Sequence, residues 1–179
     1  MQAIATEASV HVQTIYLAYG TKSALLSACA ARLVAGEEDP DTPPAERRWA
    51  REVAAEREPH AKLVRYVQQI ADVAPRITAL IDVLRATAPA EPEVAAFLEE
   101  IERGRREGAL QLLGHGVPPG TWRNGLTPDQ VADITFAVAS PDTLRALTSR
   151  CAWTLPEAQK LIVNTIEREL RGNPPRVAP

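Results

Sequence analysis

Cysteine is nearly absent from this chain of 179 residues, with only Cys29 and Cys151. So few thiols exclude a disulfide framework; they are expected as small buried apolar groups. Histidine is also sparse. His11, His60 and His115 share no ligand spacing with one another or with a cysteine, so no metal site is expected. Aromatics make up 4% of the chain, and Trp49, Trp122 and Trp153 are too scattered to form a stacking platform. No apolar run approaches the roughly 18 residues that a membrane span needs, and no signal-peptide pattern opens the chain. A soluble, cytoplasmic protein without membrane contact is expected. Basic charge is not in excess either. The net charge of −3 excludes a generally basic nucleic-acid coat, but not a small DNA-reading module positioned by a few contacts. "GHGVPPG" (114–120) lacks the Gly-Lys-Ser/Thr ending of a phosphate loop. No Ser-His-acid or Cys-His grouping suggests catalysis, so neither a cofactor nor an enzyme activity is expected.

What is present is helical spacing. The chain is 45% apolar, much of it alanine and leucine, which leans to an all-α fold. Residues 23–34 set Leu25, Leu26, Cys29, Leu33 and Val34 on one stripe. "GEEDPDTPP" (36–44) reads as a connector, with Thr42 as cap and Pro43 as first helical residue. The charged run after it predicts a short or loosely packed helix. A long helix follows over 60–88, carrying Leu63, Val67, Ile70, Ala74, Ile77, Ile81 and Leu84, with Pro75 expected to kink or split it. Another runs from Pro92 to about Leu113, with a loop over 114–125. "TPDQ" (127–130) fits a capping box. "SPDT" (140–143) and "TLPE" (154–157) offer two further capped starts, and "GNPP" (172–175) a stop.

The opening stretch, "IATEASVHVQTIYLAYGTKSALL" (4–26), holds two short helical segments around a break near Ser9. Ile15, Ala18 and Tyr19 fall together on the second segment, with Val10 at the corner, while Gln13, Thr14, Tyr16 and Leu17 point the other way. An amide, a hydroxyl and a phenol on one outward ridge suit a major groove, where Gln pairs bidentately with adenine and hydroxyls reach phosphates. Lys22 beside a helix N-terminus opposes the macrodipole, and a phosphate there would reverse the sign.

These residues carry a resemblance. The order of Ile4, Ala5, Ala8, Val10, Thr14, Tyr16, Tyr19, Lys22, Leu25 and Leu26 resembles the helix-turn-helix of the tetracycline-repressor (TetR-like) family of bacterial transcription regulators. The run from Leu126 to Gln159 is similar to the dimerisation helices of many members. The resemblance implies an all-α protein in two parts: a helix-turn-helix over 1–36, incomplete at its N-terminus, and a larger effector-binding and dimerisation domain over 37–179. It also implies a ligand-responsive, sequence-specific DNA-binding regulator, a repressor, working on double-stranded operator DNA as a homodimer through its last two helices. Gln13 would then enter the groove, Thr14 and Tyr16 would lie on the backbone and Lys22 on a phosphate; Leu17, apolar on the outward face, would touch a thymine methyl or stand as a neutral exposed residue. Two half-sites would lie about 34–36 Å apart, or a multiple of that.

Three departures stand out. Ser9 takes the place of a corner glycine, and a left-handed serine costs roughly 1 kcal/mol. His11 replaces the usual Ser or Thr cap. The family's helix before Ile4 does not follow Met1, so either the true start is expected upstream or this piece of the DNA-binding core is lost. Without it Ile15, Tyr19 and Leu26 each lose burial worth about 1.5–3 kcal/mol, so a poorly stable head is expected. Residues 1–35 carry Lys22 and Arg32 against Glu7, a net of +1, which favours the other reading: a helical dimer that binds ligand or a partner without DNA. For a small-molecule effector, Tyr66, Ile70, Phe97 and Phe136 are candidate pocket walls. Arg65, Arg76 and Arg105 are candidate partners for an anionic one.

Overall fold

The computed structural model describes residues 1–123 and 125–171; the expected stop at 172–175 lies outside them. Among the described residues the chain is all-α, with no strand. Helices α1 (Gln2–Glu7), α2 (Val12–Tyr19) and α3 (Lys22–Ala35) open it. A 3-10 turn at Pro44–Glu46 leads into α4 (Arg48–Ala55), then the long α5 (Pro59–Thr87). Next comes α6 (Pro92–Ala109), finished by a π turn at Leu110–Gly114, and then α7 (Pro128–Val138). The chain goes on through α8 (Pro141–Arg145), a second π turn at Ala146–Arg150, and α9 (Leu155–Arg171).

Local chemistry sets most of these starts. Thr127 and Gln130 form a reciprocal capping box at α7, with Pro128 at its first position. Ser140 accepts from the Thr143 amide at 3.0 Å to start α8. At α9, Glu157 reaches back to the Thr154 amide and hydroxyl at 2.9 and 2.6 Å, which holds its carboxyl below the ordinary range. Glu58 caps α5, accepting from the amides of His60 and Ala61; those bonds depress its pKa.

The helices bury two apolar clusters. The larger draws Leu63, Val67 and Ala71 from the first half of α5 together with Leu113, Val131, Leu144, Ile162, Ile166 and Leu170. The smaller sets Ala30 of α3 and Ile77, Ile81 and Leu84 of α5 against Val94 and Phe97 of α6. One helix therefore serves both. That explains why α5 is not split at Pro75, which lies inside it. A proline there gives up one backbone bond, but the turns on either side are each held in a separate cluster.

Other expectations are corrected. Cys29 and Cys151 are exposed; on α3 the buried small residue is Ala30, one position on. Pro43 is the cap of the 3-10 turn rather than its first residue, and the Thr42 carbonyl instead accepts from Arg47 Nε at 3.1 Å. The charged α4 is short, yet Ala50 and Val53 are buried. Trp153 is exposed.

Lys62 is a feature the periodicity conceals. It sits inside the larger cluster region at 2% exposure. Its ammonium donates to the carbonyls of Val53 and Ala54 at 2.9 and 3.1 Å, closing the end of α4, while burial lowers its pKa.

Candidate functional site

The amino-terminal helices bury little. In α1 and α2 only Ala5 and Ile15 are buried. Gln13, Thr14, Tyr16 and Leu17 are exposed, Leu17 at 82%, so the outward ridge stands where the periodicity puts it. The inward set does not hold. Ala18 and Tyr19 are exposed as well, and Val10 at the corner is 43% exposed. The helix packs on α1 and α3, and Ile15 is the one side chain of α2 that is buried there.

The turn between α1 and α2 has the expected strain. Ser9 takes φ 54°, a left-handed conformation without a glycine. His11 does cap α2: its Nδ1 accepts from the Gln13 amide at 3.3 Å. Gly20 then ends the helix at φ 70°, and Thr21 caps α3 by accepting from Ala24 at 3.0 Å. Lys22 does not stand free. It is ion-paired with Glu91, the residue that precedes α6. No sequence spacing signals a pair 69 residues apart.

The second candidate is a cavity of about 540 Å³ enclosed by α3, the 40–49 segment, α5, α6 and the start of α8. Its size falls among those of small-molecule sites. Tyr66, Ile70 and Phe97 line it as expected. Phe136 does not. On α7, it lies under the Arg105 guanidinium, 3.7 Å from ring centre to charge, and Arg105 itself lines the cavity. Of the three candidate arginines only Arg105 lines this cavity. Arg65 is paired with Glu56 at 3.2 Å, and Arg76 lies in a smaller neighbouring cleft, donating to the Val34 carbonyl at 3.4 Å. A Cβ on Gly36, which ends α3 at φ 64°, would run into that Arg76 guanidinium.

Arg105 donates through Nη1 to the carbonyls of Phe136 and Ala139, at 2.7 and 3.3 Å, at the end of α7. A cation suits a helix C-terminus, but burial still lowers its pKa. Burial also pushes the Tyr66 phenol up to about 12, with the Arg105 charge pulling slightly the other way. Nearby acids are already engaged. Asp142 binds Arg85 at 2.8 Å and Arg145 at 3.0 Å, and Glu102 meets Arg85 at 3.6 Å.

Several walls escaped the sequence reading. The connector folds over the cavity through Pro40–Pro44, pinned by Arg47, which is buried and donates to the Pro40 and Thr42 carbonyls at 3.3 and 3.1 Å. Trp49 lines both openings. Ala30 and Val34, one turn apart on α3, carried a readable signal as small apolar residues four apart. The connector carried none. Among the described residues no group of three or more His, Cys, Asp or Glu could hold a metal, and no helix is long and apolar enough to cross a membrane. Comparison with protein-family models, with curated proteins and with solved structures gave no match.

Proposed function

We propose that this chain is a ligand-responsive, sequence-specific DNA-binding transcription regulator of the TetR-like kind, a repressor acting as a homodimer on operator DNA. The observation that carries the reading is the ridge of Gln13, Thr14, Tyr16 and Leu17, exposed on a short helix anchored from below by Ile15. Groove reading needs such a ridge: polar ends for base edges and phosphates, and an apolar group for a thymine methyl. The cavity supports the ligand-responsive part. Its α3 wall, through Ala30 and Val34, continues the chain that carries α2. A ligand that fits one setting of α3 better than another shifts the spacing of the two α2 helices in a dimer, by its differential affinity alone. Trp153, Leu155 and Leu161, exposed around the start of α9, support docking of a second copy there.

The test is DNA binding by the intact chain to duplex from around its own gene and to a random duplex of equal length, over a salt series. The reading expects sequence preference and a steep loss of affinity with salt. Equal, salt-insensitive affinity for both duplexes removes it.

The Lys22–Glu91 pair favours a second reading, a helical dimer that binds ligand or partner without DNA. It ties up the cation that the first reading sends to a phosphate. Ligand binding together with failure on every duplex in that assay selects it.

A further inference from the structure

Polar capacity left unspent inside a cavity identifies what the cavity takes. A guanidinium has five N–H donors in a rigid fork. Arg105 spends Nη1 on two backbone carbonyls, and among the described residues no partner faces its Nε or Nη2. Nor does Arg105 have a carboxylate within ion-pair distance among them, unlike Arg85 in the same wall. Tyr66 is 3% exposed, and its hydroxyl likewise has no hydrogen-bond partner among the described residues. The surplus at this end is therefore of donors. The acids do not offset it: Asp142 and Glu102 are engaged by arginines, and Asp41 and Glu100 are exposed at the rim. Ser27, Gln69 and Thr78 add neutral polar groups to the wall, and its apolar part includes Ile70, Ile77, Ile81 and Phe97.

We propose that this cavity binds an amphipathic monocarboxylate, its carboxylate held by Arg105 and the Tyr66 hydroxyl and its hydrophobic body along Ile70, Ile77, Ile81 and Phe97. The planar fork of Arg105 matches a carboxylate. A doubly charged group is disfavoured, because Glu102 and Asp142 stand in the same wall and the other arginine without an acidic partner, Arg47, spends its Nε and Nη2 on the Thr42 and Pro40 carbonyls. The inference rests on taking this cavity as the effector site of the proposed regulator, and it is tested without DNA.

The experiment is titration calorimetry on the full chain near neutral pH with two carboxylates, decanoate and 2-naphthoate, each beside its neutral counterpart, decan-1-ol and 2-naphthalenemethanol. At least one carboxylate should bind about tenfold or more tighter than its alcohol. Arg105→Gln should erase that preference and leave the alcohol within about threefold, while Arg105→Lys keeps part of it. Tyr66→Phe should cost the carboxylate about threefold to tenfold and the alcohol little. Should Arg105→Gln not fold, Arg105→Lys and Tyr66→Phe decide. The proposal is overturned if neither carboxylate binds below about 1 mM, if carboxylate and alcohol bind alike, or if the preference survives in the variants. A carboxylate that binds with this preference but leaves DNA affinity unchanged keeps this inference and removes the effector reading.

Discussion

The head and the body of this molecule differ in how much they hide. Over α1 and α2 two side chains are buried, Ala5 and Ile15. Along α9 alone five are, with Ile166 and Leu170 fully enclosed. Local opening is easiest where few apolar contacts must break. The head should therefore exchange its amides long before the body unfolds, so that the ridge proposed to touch DNA sits on a segment that opens easily. Ordering such a segment on contact costs affinity.

The sharpest way to break this comparison is a matched pair of truncations. Ile166→Ala should lower global stability by about 3–4 kcal/mol in urea unfolding. Ile15→Ala should leave that transition within about 1 kcal/mol and abolish hydrogen-exchange protection in residues 12–19. Equal global losses would mean that head and body unfold together. Next in size is Lys62→Met, which removes two hydrogen bonds to the end of α4 and should cost about 1–3 kcal/mol in the same assay.

Acid should separate the two regions as well. Glu58, Glu56, Asp82 and Glu157 are all held below their ordinary values by hydrogen bonds that favour the carboxylate. Stability from such groups is present above the unfolded-state pKa, 4.5 for Glu58, and is lost as pH falls through the lower folded one. All four lie in the body. Its melting temperature should fall on acidification from about pH 5 to pH 3, and Glu58→Ala should flatten part of that slope. A slope unchanged in Glu58→Ala would remove the cap at α5 from the account.

Smaller effects belong to the head. Ser9→Gly relieves a left-handed serine and should gain roughly 1 kcal/mol, read as added protection in α1 and α2 rather than as a higher global midpoint. Glu91→Gln releases Lys22. If the regulator reading holds, DNA affinity should rise by about threefold at low salt, with a steeper salt slope.

How much was legible in the sequence follows the range of the interactions. Caps are local, so Thr127 with Gln130, Ser140 with Thr143 and Glu157 with Thr154 could be read from four-residue windows. So could the exposed ridge, since a two-turn helix has only one way to present Gln13, Thr14 and Tyr16 together. Tyr19 could not, because periodicity says which side chains share a face and not whether anything covers that face. Cys29 failed for the same reason: Ala30, beside it, is the residue that meets α5 and α6. The cavity was half visible. Tyr66, Ile70 and Phe97 were found because they fall on apolar stripes. The connector at 40–44, the Lys22–Glu91 pair and the burial of Lys62 depend on contacts that no window of one helix contains.

The 29 residues of α5 make a rod about 44 Å long, and both apolar clusters are built along it. With one helix shared by both clusters, heat should produce one calorimetric peak for the body. The proline in its middle marks where two separate peaks would have divided.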